Sequence, residues 1–179
     1  FLKTSATATS DINLLATPKL LKFGTLEHFE DLDALMRDFR ILYAVVDENP
    51  EKRKALEFAQ RFFGRVSLCE YSMGVHHRQT IEKEDCVVAV DRTSWMDLAI
   101  SRFKNQTIML PKNLSLEYKN HIKSSVRVTK LDSNGNPIAR YIKPEKLQDH
   151  FLHTRVYNEI AFPLAVKLAE NQSITERVI

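Results

Sequence analysis

The sequence predicts an α/β fold built around a parallel region of β-sheet. A continuous apolar run covers residues 41–46, and a second strand-like run covers residues 65–71. The segment between the two runs places its hydrophobic residues at helical spacing, so the three segments form a strand–helix–strand unit. Because such a unit joins two parallel strands through a crossover helix, it predicts a parallel region of sheet.

Local signals mark the ends of this unit. Residues 41–46 contain no alternating polar positions, so we expect this strand to be buried on both faces. Asn49 is a good N-cap, and Pro50 suits the first position of a helix that continues to about residue 63. Gly64 is placed to end that helix.

Upstream of this unit, two short strands and one helix are expected. Residues 12–16 and residues 19–26 have the composition of strands, and a Thr-Pro pair separates them. Residues 27–39 place Phe29 and Leu32 on an apolar helical face opposite an acidic face. This part of the chain therefore predicts a small strand pair followed by an amphipathic helix.

Downstream of the unit, the pattern alternates between short strands and helices. Residues 72–85 are polar and irregular, so we expect a mobile loop, and Thr93 is a candidate cap for a following helix. The expected elements are a strand at 86–90, a helix ending near 104, a strand at 107–110 and a helix at 116–124.

The last third of the chain predicts a β-hairpin and a long helix. Asn134-Gly135 lies between alternating segments at 126–131 and 138–142, which is a strong hairpin signal. A final helix is expected over about residues 145–169. Pro163 lies inside it, so we expect a kink or a break there.

Composition limits the class of protein. The chain has 179 residues, which suits one domain. Its formal net charge of +3 permits nucleic-acid binding without requiring it. No apolar stretch reaches the length needed to span a membrane. The first residue is Phe rather than Met, so we expect the chain to be a fragment of a larger polypeptide.

The cysteines predict a reducing environment. Cys69 and Cys86 both lie in apolar, strand-like surroundings, and their spacing matches neither a disulfide framework nor a metal site. We therefore expect two buried free thiols in a cytosolic setting.

Asp47 is the first candidate for chemistry. It follows the apolar run 41–46, and open α/β sheets place their reactive groups at the carboxyl ends of strands. A carboxylate at that edge is a suitable ligand for Mg²⁺ or Mn²⁺. The alternative is that Asp47 caps the helix that begins near Pro50.

A second candidate lies about a hundred residues downstream. Asp149 and His153 are one helical turn apart, and so are His150 and His153. Asp149 is a candidate second metal ligand, and a histidine is a candidate ligand or proton carrier. Alternatively, Asp149 only stabilises the positive end of the helix while the histidines pack nearby.

Other patterns are weaker. His76-His77 resembles a pair of metal-binding histidines, but adjacent side chains point apart in an extended loop. Scattered cations suit either a solvated face or contact with a phosphate backbone; they are Lys104, Lys112, Lys119, Lys123, Arg127 and Lys130. The chain has neither a phosphate-binding P-loop motif nor a dinucleotide-binding glycine motif.

Several blocks, taken in order, resemble the C-terminal nuclease domain of the phage terminase large subunit. They are Val45-Val46-Asp47-Glu48-Asn49-Pro50-Glu51, Glu57-Phe58-Ala59-Gln60-Arg61-Phe62, Gly64-Arg65-Val66, Val90-Asp91-Arg92-Thr93, Ile108-Met109-Leu110-Pro111 and Asp149-His150-Phe151-Leu152-His153. The resemblance covers roughly residues 20–165.

The resemblance implies an RNase H-like fold, with a mixed central sheet flanked by helices and an added β-hairpin. It implies one nuclease domain over residues 1–179, without the ATPase motor domain. The implied activity is metal-dependent cleavage of concatemeric viral double-stranded DNA during genome packaging, using two Mg²⁺ or Mn²⁺ ions. Asp47 and Asp149 match metal-binding acids of the family, and His150 and His153 match its histidines.

The resemblance also implies partners and a location. The partners are double-stranded DNA, the motor domain of the same polypeptide, the portal and the small terminase subunit, with no membrane. The location is the cytoplasm of the host cell.

One family feature has no counterpart here. The family's first acid lies on the first strand, and Asp11 is the only acid among the first 26 residues, in a poorly matching context. Two alternatives to the packaging nuclease therefore stay open. One is a binding module of the same fold without a competent metal site, and the other is a different RNase H-like nuclease that acts on branched DNA.

Overall fold

The computed structural model describes residues 2–3, 17–72, 80–82 and 86–177. Five helices are present in these ranges: α1 (Asp31–Asp38), α2 (Lys52–Arg61), α3 (Arg92–Lys104), α4 (Leu116–Lys123) and α5 (His150–Arg177). The strands are β1 (Leu2–Lys3), β2 (Lys19–Leu20), β3 (Ala44–Asp47), β4 (Val66–Tyr71), β5 (Thr80–Glu82), β6 (Val87–Val90), β7 (Val126–Leu131) and β8 (Pro137–Ile142).

The main sheet has the order β3-β4-β6-β5. Strand β4 pairs in parallel with β3 and with β6, whereas β5 pairs antiparallel to β6. The predicted strand–helix–strand unit is therefore confirmed as β3–α2–β4, and the fold is α/β with a mostly parallel sheet.

Strand β3 differs from its prediction. It lies at one end of the sheet, and no described strand pairs with its second edge. Its residues Ala44, Val45 and Val46 are half-buried rather than fully buried. The expectation of burial on both faces was wrong, and it holds instead for β4, whose first four residues are buried. A purely apolar run does not distinguish a central strand from an edge strand packed between helices.

The start of α2 also differs from the prediction. The cap is Glu51, and neither Asn49 nor Pro50 is helical. The backbone N–H of Asn49 donates to Oδ1 of Asp47 at 3.0 Å, so this segment forms a turn at the end of β3. Gly64 adopts a φ of +77° in the connection from α2 to β4, where a residue with a side chain is strained.

Two further strand predictions and one loop prediction need correction. The strand expected at 19–26 is limited to β2, and residues 107–110 form only one bridge, between Met109 and Lys19. The expected loop at 72–85 contains β5, which pairs with β6. The strand predicted at 12–16 and the pair His76-His77 lie outside the described residues.

Side-chain caps fix the two central helices. Oδ1 of Asp91 accepts from the N–H of Ser94 at 2.7 Å, so Asp91 caps α3 in place of the predicted Thr93. Oγ of Ser115 accepts from the N–H of Tyr118 at 3.1 Å and caps α4. Both caps satisfy backbone donors that a helix start otherwise leaves unpaired.

The hairpin is confirmed, and the last helix is longer than expected. Strands β7 and β8 pair antiparallel from Val126↔Ile142 to Leu131↔Pro137. Helix α5 begins at His150 and continues through Pro163, so the expected break is absent. Among the described residues, no helix has the length and apolar character needed to cross a membrane.

Helices cover both faces of the sheet. On one face, β4 and β6 pack against α3 and α5 through Val88, Val90, Met96, Leu152, Val156 and Ile160. On the other face, α1 and α2 contribute Met36, Ala55, Phe58 and Ala59 to a cluster with Val66 and Leu68. This arrangement holds the carboxyl ends of β3, β4 and β6 against α5.

The core on the α2 face gives a stability prediction. Leu68 is fully buried, whereas Leu116 is 72% exposed. We expect Leu68→Ala to lower the free energy of unfolding by about 2–5 kcal/mol, because it leaves a cavity. Leu116→Ala is the control and should change it by no more than about 0.5 kcal/mol. Urea unfolding followed by circular dichroism measures both values, and equal effects would contradict the core assignment.

The thiols give a second prediction. Burial raises the pKa of Cys69 from 9.0 to about 12, so the thiol stays protonated in the folded chain. Because ionisation then favours the unfolded chain, this group lowers stability as the pH rises from 9.0 towards 12. In a Cys86→Ala variant, we expect a thiol-specific disulfide reagent at pH 8 to label Cys69 about a hundredfold more slowly than in urea. Equal rates would show that Cys69 is accessible.

Candidate functional site

The carboxyl edge of the sheet gathers three strand ends. Asp47 ends β3, Tyr71 ends β4, and Asp91 directly follows β6. Because these strands are parallel and in register, their last residues reach the same edge. Asp91 is occupied as the cap of α3, which leaves Asp47 and Tyr71 to face α5.

Asp47 is held by two hydrogen bonds. Its Oδ2 accepts from the hydroxyl of Tyr157 at 2.5 Å, and its Oδ1 accepts from the N–H of Asn49 at 3.0 Å. The first bond joins the end of β3 to α5, and the second fixes the following turn. Asp47 therefore has a set orientation although its residue is exposed to solvent.

Helix α5 presents one polar stripe to this edge. Asp149, His153 and Tyr157 are spaced by four residues, so they lie on one face. The neighbouring stripe, Leu152 and Val156, lies in the core and fixes the rotation of the helix. The site geometry thus follows from the way α5 packs on the sheet.

His153 links the two candidate acids through tyrosines. Its Nδ1 lies 2.8 Å from the hydroxyl of Tyr71, and its Nε2 lies 3.3 Å from Oδ2 of Asp149. The ring of Tyr71 stacks on that of Tyr157, with centroids 6.2 Å apart. We call these five residues, Asp47, Tyr157, Tyr71, His153 and Asp149, the edge network.

Burial shifts the pKa values of the histidine and the two tyrosines of the edge network. Burial lowers the pKa of His153, and the nearby Asp149 opposes this effect. Burial raises the pKa of Tyr71 and of Tyr157, so both hydroxyls keep their protons. A neutral His153 with its hydrogen on Nε2 donates to Asp149 and accepts from Tyr71.

Asp149 is buried, with 8% of its surface exposed. It directly precedes α5, and besides His153 it accepts a hydrogen bond from Oγ of Ser125 at 3.3 Å. Ser125 lies next to β7, so Asp149 connects α5 with the base of the hairpin. The buried carboxylate is therefore compensated by two side-chain donors.

Arg92 supplies a positive charge beside the network. Its Nη1 donates to the carbonyl oxygen of Tyr141 at 3.2 Å, and its Nη2 lies 3.4 Å from Nε2 of His153. Its guanidinium also lies over the ring of Tyr71, 5.9 Å from the centroid. A cation at this position favours negative charge at the carboxyl edge.

His150 lies away from the edge network. It is the first residue of α5 and is exposed, and its ring is 5.8 Å from that of His121. The structure brings together Asp47, Asp149 and His153, and it places His150 on another side of α5.

The described residues do not complete a site for two metal ions. Among them, no group of three His, Cys, Asp or Glu side chains lies close enough to hold an ion. Each oxygen of Asp47 already accepts a hydrogen bond, and Asp149 is engaged by Ser125 and His153. Tyr157, Tyr71 and His153 connect the two carboxylates through hydrogen bonds and a ring contact.

The sequence reasoning missed Tyr71, Tyr157 and Arg92. Tyr157 follows His153 by four residues, so extending the polar stripe of α5 by one turn would have found it. Tyr71 ends a strand parallel to β3, and the strand-end argument applied to Asp47 covers it too. No spacing rule identifies Arg92.

Comparisons with protein-family models, with curated proteins and with solved structures found no match for this chain.

The bond between Tyr157 and Asp47 gives a prediction. Tyr157→Phe keeps the stacked ring and removes only the hydroxyl donor, so we expect the free energy of unfolding to fall by about 1 kcal/mol. In an Asp47→Ala background the same change should cost clearly less, because the acceptor is gone. A double-mutant cycle by chemical denaturation measures the coupling, and zero coupling would contradict the bond.

Proposed function

We propose that this chain is an RNase H-like, metal-dependent endonuclease domain that cuts double-stranded viral DNA during genome packaging. The observation that carries the proposal is the edge network. It holds Asp47, at the carboxyl end of a parallel strand, together with Asp149 and His153. These residues belong to two of the ordered sequence blocks that resemble the terminase nuclease domain.

Within this proposal, the chain's own residues position the acids. Tyr157 fixes one oxygen of Asp47, and the turn at Asn49 fixes the other. His153 and Ser125 hold Asp149 in its buried position. The network thus fixes the positions of the two carboxylates before any ligand binds.

The proposed cofactor is Mg²⁺ or Mn²⁺, and the described residues supply only part of its ligands. Asp47 and Asp149 are the proposed ligands, and both are oxygen donors that hard cations prefer. Because the described residues lack a group of three ligands, further donors have to come from other residues or from DNA. His150, which the resemblance places among the catalytic residues, is solvent-exposed and available to approaching DNA.

Contact with DNA is proposed to use exposed cations on two helices and one strand of the hairpin. Lys104, Lys119, Lys123 and Lys130 are exposed on α3, α4 and β7. Lysines on such a surface bind the phosphate backbone without reading the sequence. The motor domain of the same polypeptide, the portal and the small terminase subunit are the other proposed partners, in the cytoplasm of the host cell.

One observation favours a second candidate, a DNA- or portal-binding module that does not cleave. The absence of a three-ligand group among the described residues is what an inactive nuclease fold would display. In that case the edge network would only stabilise the packing of α5 on the sheet.

Plasmid cleavage tests the proposal. We expect the chain to convert supercoiled plasmid to nicked or linear DNA with Mn²⁺ or Mg²⁺ but not with EDTA. Asp47→Asn and Asp149→Asn should each lower the rate at least about a hundredfold, because each removes a charged ligand. The control Asp38→Asn lies at the end of α1, outside the edge network, and should leave the rate unchanged.

A binding assay separates the two candidates. Gel-shift measurements at about 50 and 200 mM salt should show weaker binding at the higher concentration, since phosphate contacts release counterions. Salt-sensitive binding without cleavage by folded protein would favour the binding module. Cleavage that persists in both Asp variants would contradict the assigned site.

A further inference from the structure

Strand β3 has one edge that no described strand covers, and we call it the open edge. The N–H groups of Ala44 and Glu48 donate to carbonyl oxygens on the β4 side, at 2.9 and 3.3 Å. Successive residues of a strand direct their N–H and C=O groups to opposite edges. The backbone groups of Val45 and Asp47 therefore face the open edge.

A cavity of about 660 Å³ lies along the open edge, and every residue of β3 lines it. Helices α1 and α5 form two of its walls, through Leu32, Leu35, Met36, Thr154, Tyr157 and Asn158. Helix α1 belongs to one face of the sheet and α5 to the other. The cavity thus occupies the position that the next strand of the sheet would take, between the two helix layers.

The side chains of β3 are also incompletely covered. Ala44 and Val46 pack towards the cluster of α1 and α2, and Val45 packs towards the cluster of α3 and α5. All three are apolar, yet each is only half-buried. An apolar segment beside β3 would bury them further, as in a strand that is covered on both faces.

The walls of the cavity favour a single extended segment over a second copy of the folded chain. The open edge lies between α1 and α5, so an approaching β3 from a second copy would bring its own α1 and α5 against them. A single extended segment has no helices of its own and can lie between these walls. It also supplies the alternating N–H and C=O groups that an unpaired strand edge accepts.

Charge specifies a further property of that segment. Among the described residues that line the cavity, exposed carboxylates outnumber exposed cations: Glu27, Glu30, Asp47 and Glu51 against Lys22 and Lys54. Arg155 also lines the cavity, but it is buried and pairs with Glu159. The excess of negative charge favours a segment that carries lysine or arginine beside its apolar residues.

We propose that the cavity is a strand-addition site, in which an extended segment of another polypeptide pairs with the open edge of β3. The segment has apolar residues that pack between α1 and α5, and basic residues that face the carboxylates. Main-chain hydrogen bonds supply affinity in this mode of binding, and the side chains supply specificity. The site adjoins the edge network, because Asp47 and Tyr157 line it, and the inference does not rest on nuclease activity.

Titration calorimetry with the synthetic peptide acetyl-Lys-Val-Leu-Val-Ala-Val-Lys-amide tests the site. We expect the folded chain to bind this peptide. The same peptide with N-methyl groups on its five central residues should bind at least about tenfold more weakly, because its backbone donors are blocked. A version with glutamate in place of both lysines should also bind more weakly, because the carboxylates of the cavity repel it.

Amide hydrogen exchange, followed by NMR, shows whether the peptide pairs with the open edge. In the chain alone, the N–H groups of Val45 and Asp47 should exchange faster than that of Val46, which faces β4. The peptide should slow exchange at Val45 and Asp47 at least about tenfold and change Val46 much less. This alternation distinguishes strand pairing from a general stabilisation of the fold.

A variant on α5 tests the position of the peptide. Thr154 is exposed and lines the cavity, so Thr154→Trp should obstruct the segment and weaken peptide binding at least about tenfold. Thr129→Trp is the matched control, because Thr129 is exposed on β7 and does not line the cavity. Circular dichroism checks the fold of both variants.

Three results would overturn the proposal. The first is that the folded chain does not bind the peptide. The second is that the N-methylated peptide binds equally well, or that binding leaves exchange at Val45 and Asp47 unchanged, since the cavity would then bind apolar groups only. The third is slow exchange at both residues before peptide is added, which would show that the chain itself or a second copy already covers the open edge.

Discussion

Helix α5 packs across the carboxyl edge of the parallel strands, and this packing sets the positions of the polar groups around it. Leu152, Val156 and Ile160 form the apolar stripe of α5 and are fully buried against the sheet and α3. This burial fixes the rotation of the helix. The rotation of α5 then determines which neighbouring element each of its other faces contacts.

Two of those faces carry polar and charged side chains. The stripe of Asp149, His153 and Tyr157 meets the ends of β3 and β4 and forms the edge network. The next stripe contains Arg155 and Glu159, which pair with each other, and Glu159 also accepts two hydrogen bonds from Arg102. Both polar groups are costly to bury alone, so the apolar stripe compensates for them through hydrophobic burial. A small rotation of α5 would break both arrangements at once.

The sequence predicted those parts of the fold that depend on local signals. The strand–helix–strand unit and the hairpin were correct, because periodicity, Gly64 and Asn134-Gly135 specify them within a few residues. The edge position of β3 could not be read from residues 41–46, since it depends on which strands pair with it. The cap of α3 was misassigned to Thr93 because Asp91 and Thr93 both suit the cap position.

The site was predictable to a similar extent. Asp47 and Asp149 were singled out by position, but only the fold shows that tyrosines and a histidine lie between them. His150 and His153 cannot be ranked from the sequence, because each is one turn or less from Asp149 or from the other. The rotation of α5 makes the difference, and it directs His153 towards Tyr71.

The most direct test of the central claim is anomalous diffraction from crystals of this chain soaked in MnCl₂. We expect a manganese peak about 2.1 Å from a carboxylate oxygen of Asp47, with further oxygen ligands completing the ion's coordination. It also predicts that Tyr157 and the other members of the edge network stay in place. An ordered Asp47 that keeps its bond to Tyr157 and has no manganese nearby would contradict the claim that this edge is a metal-dependent active site.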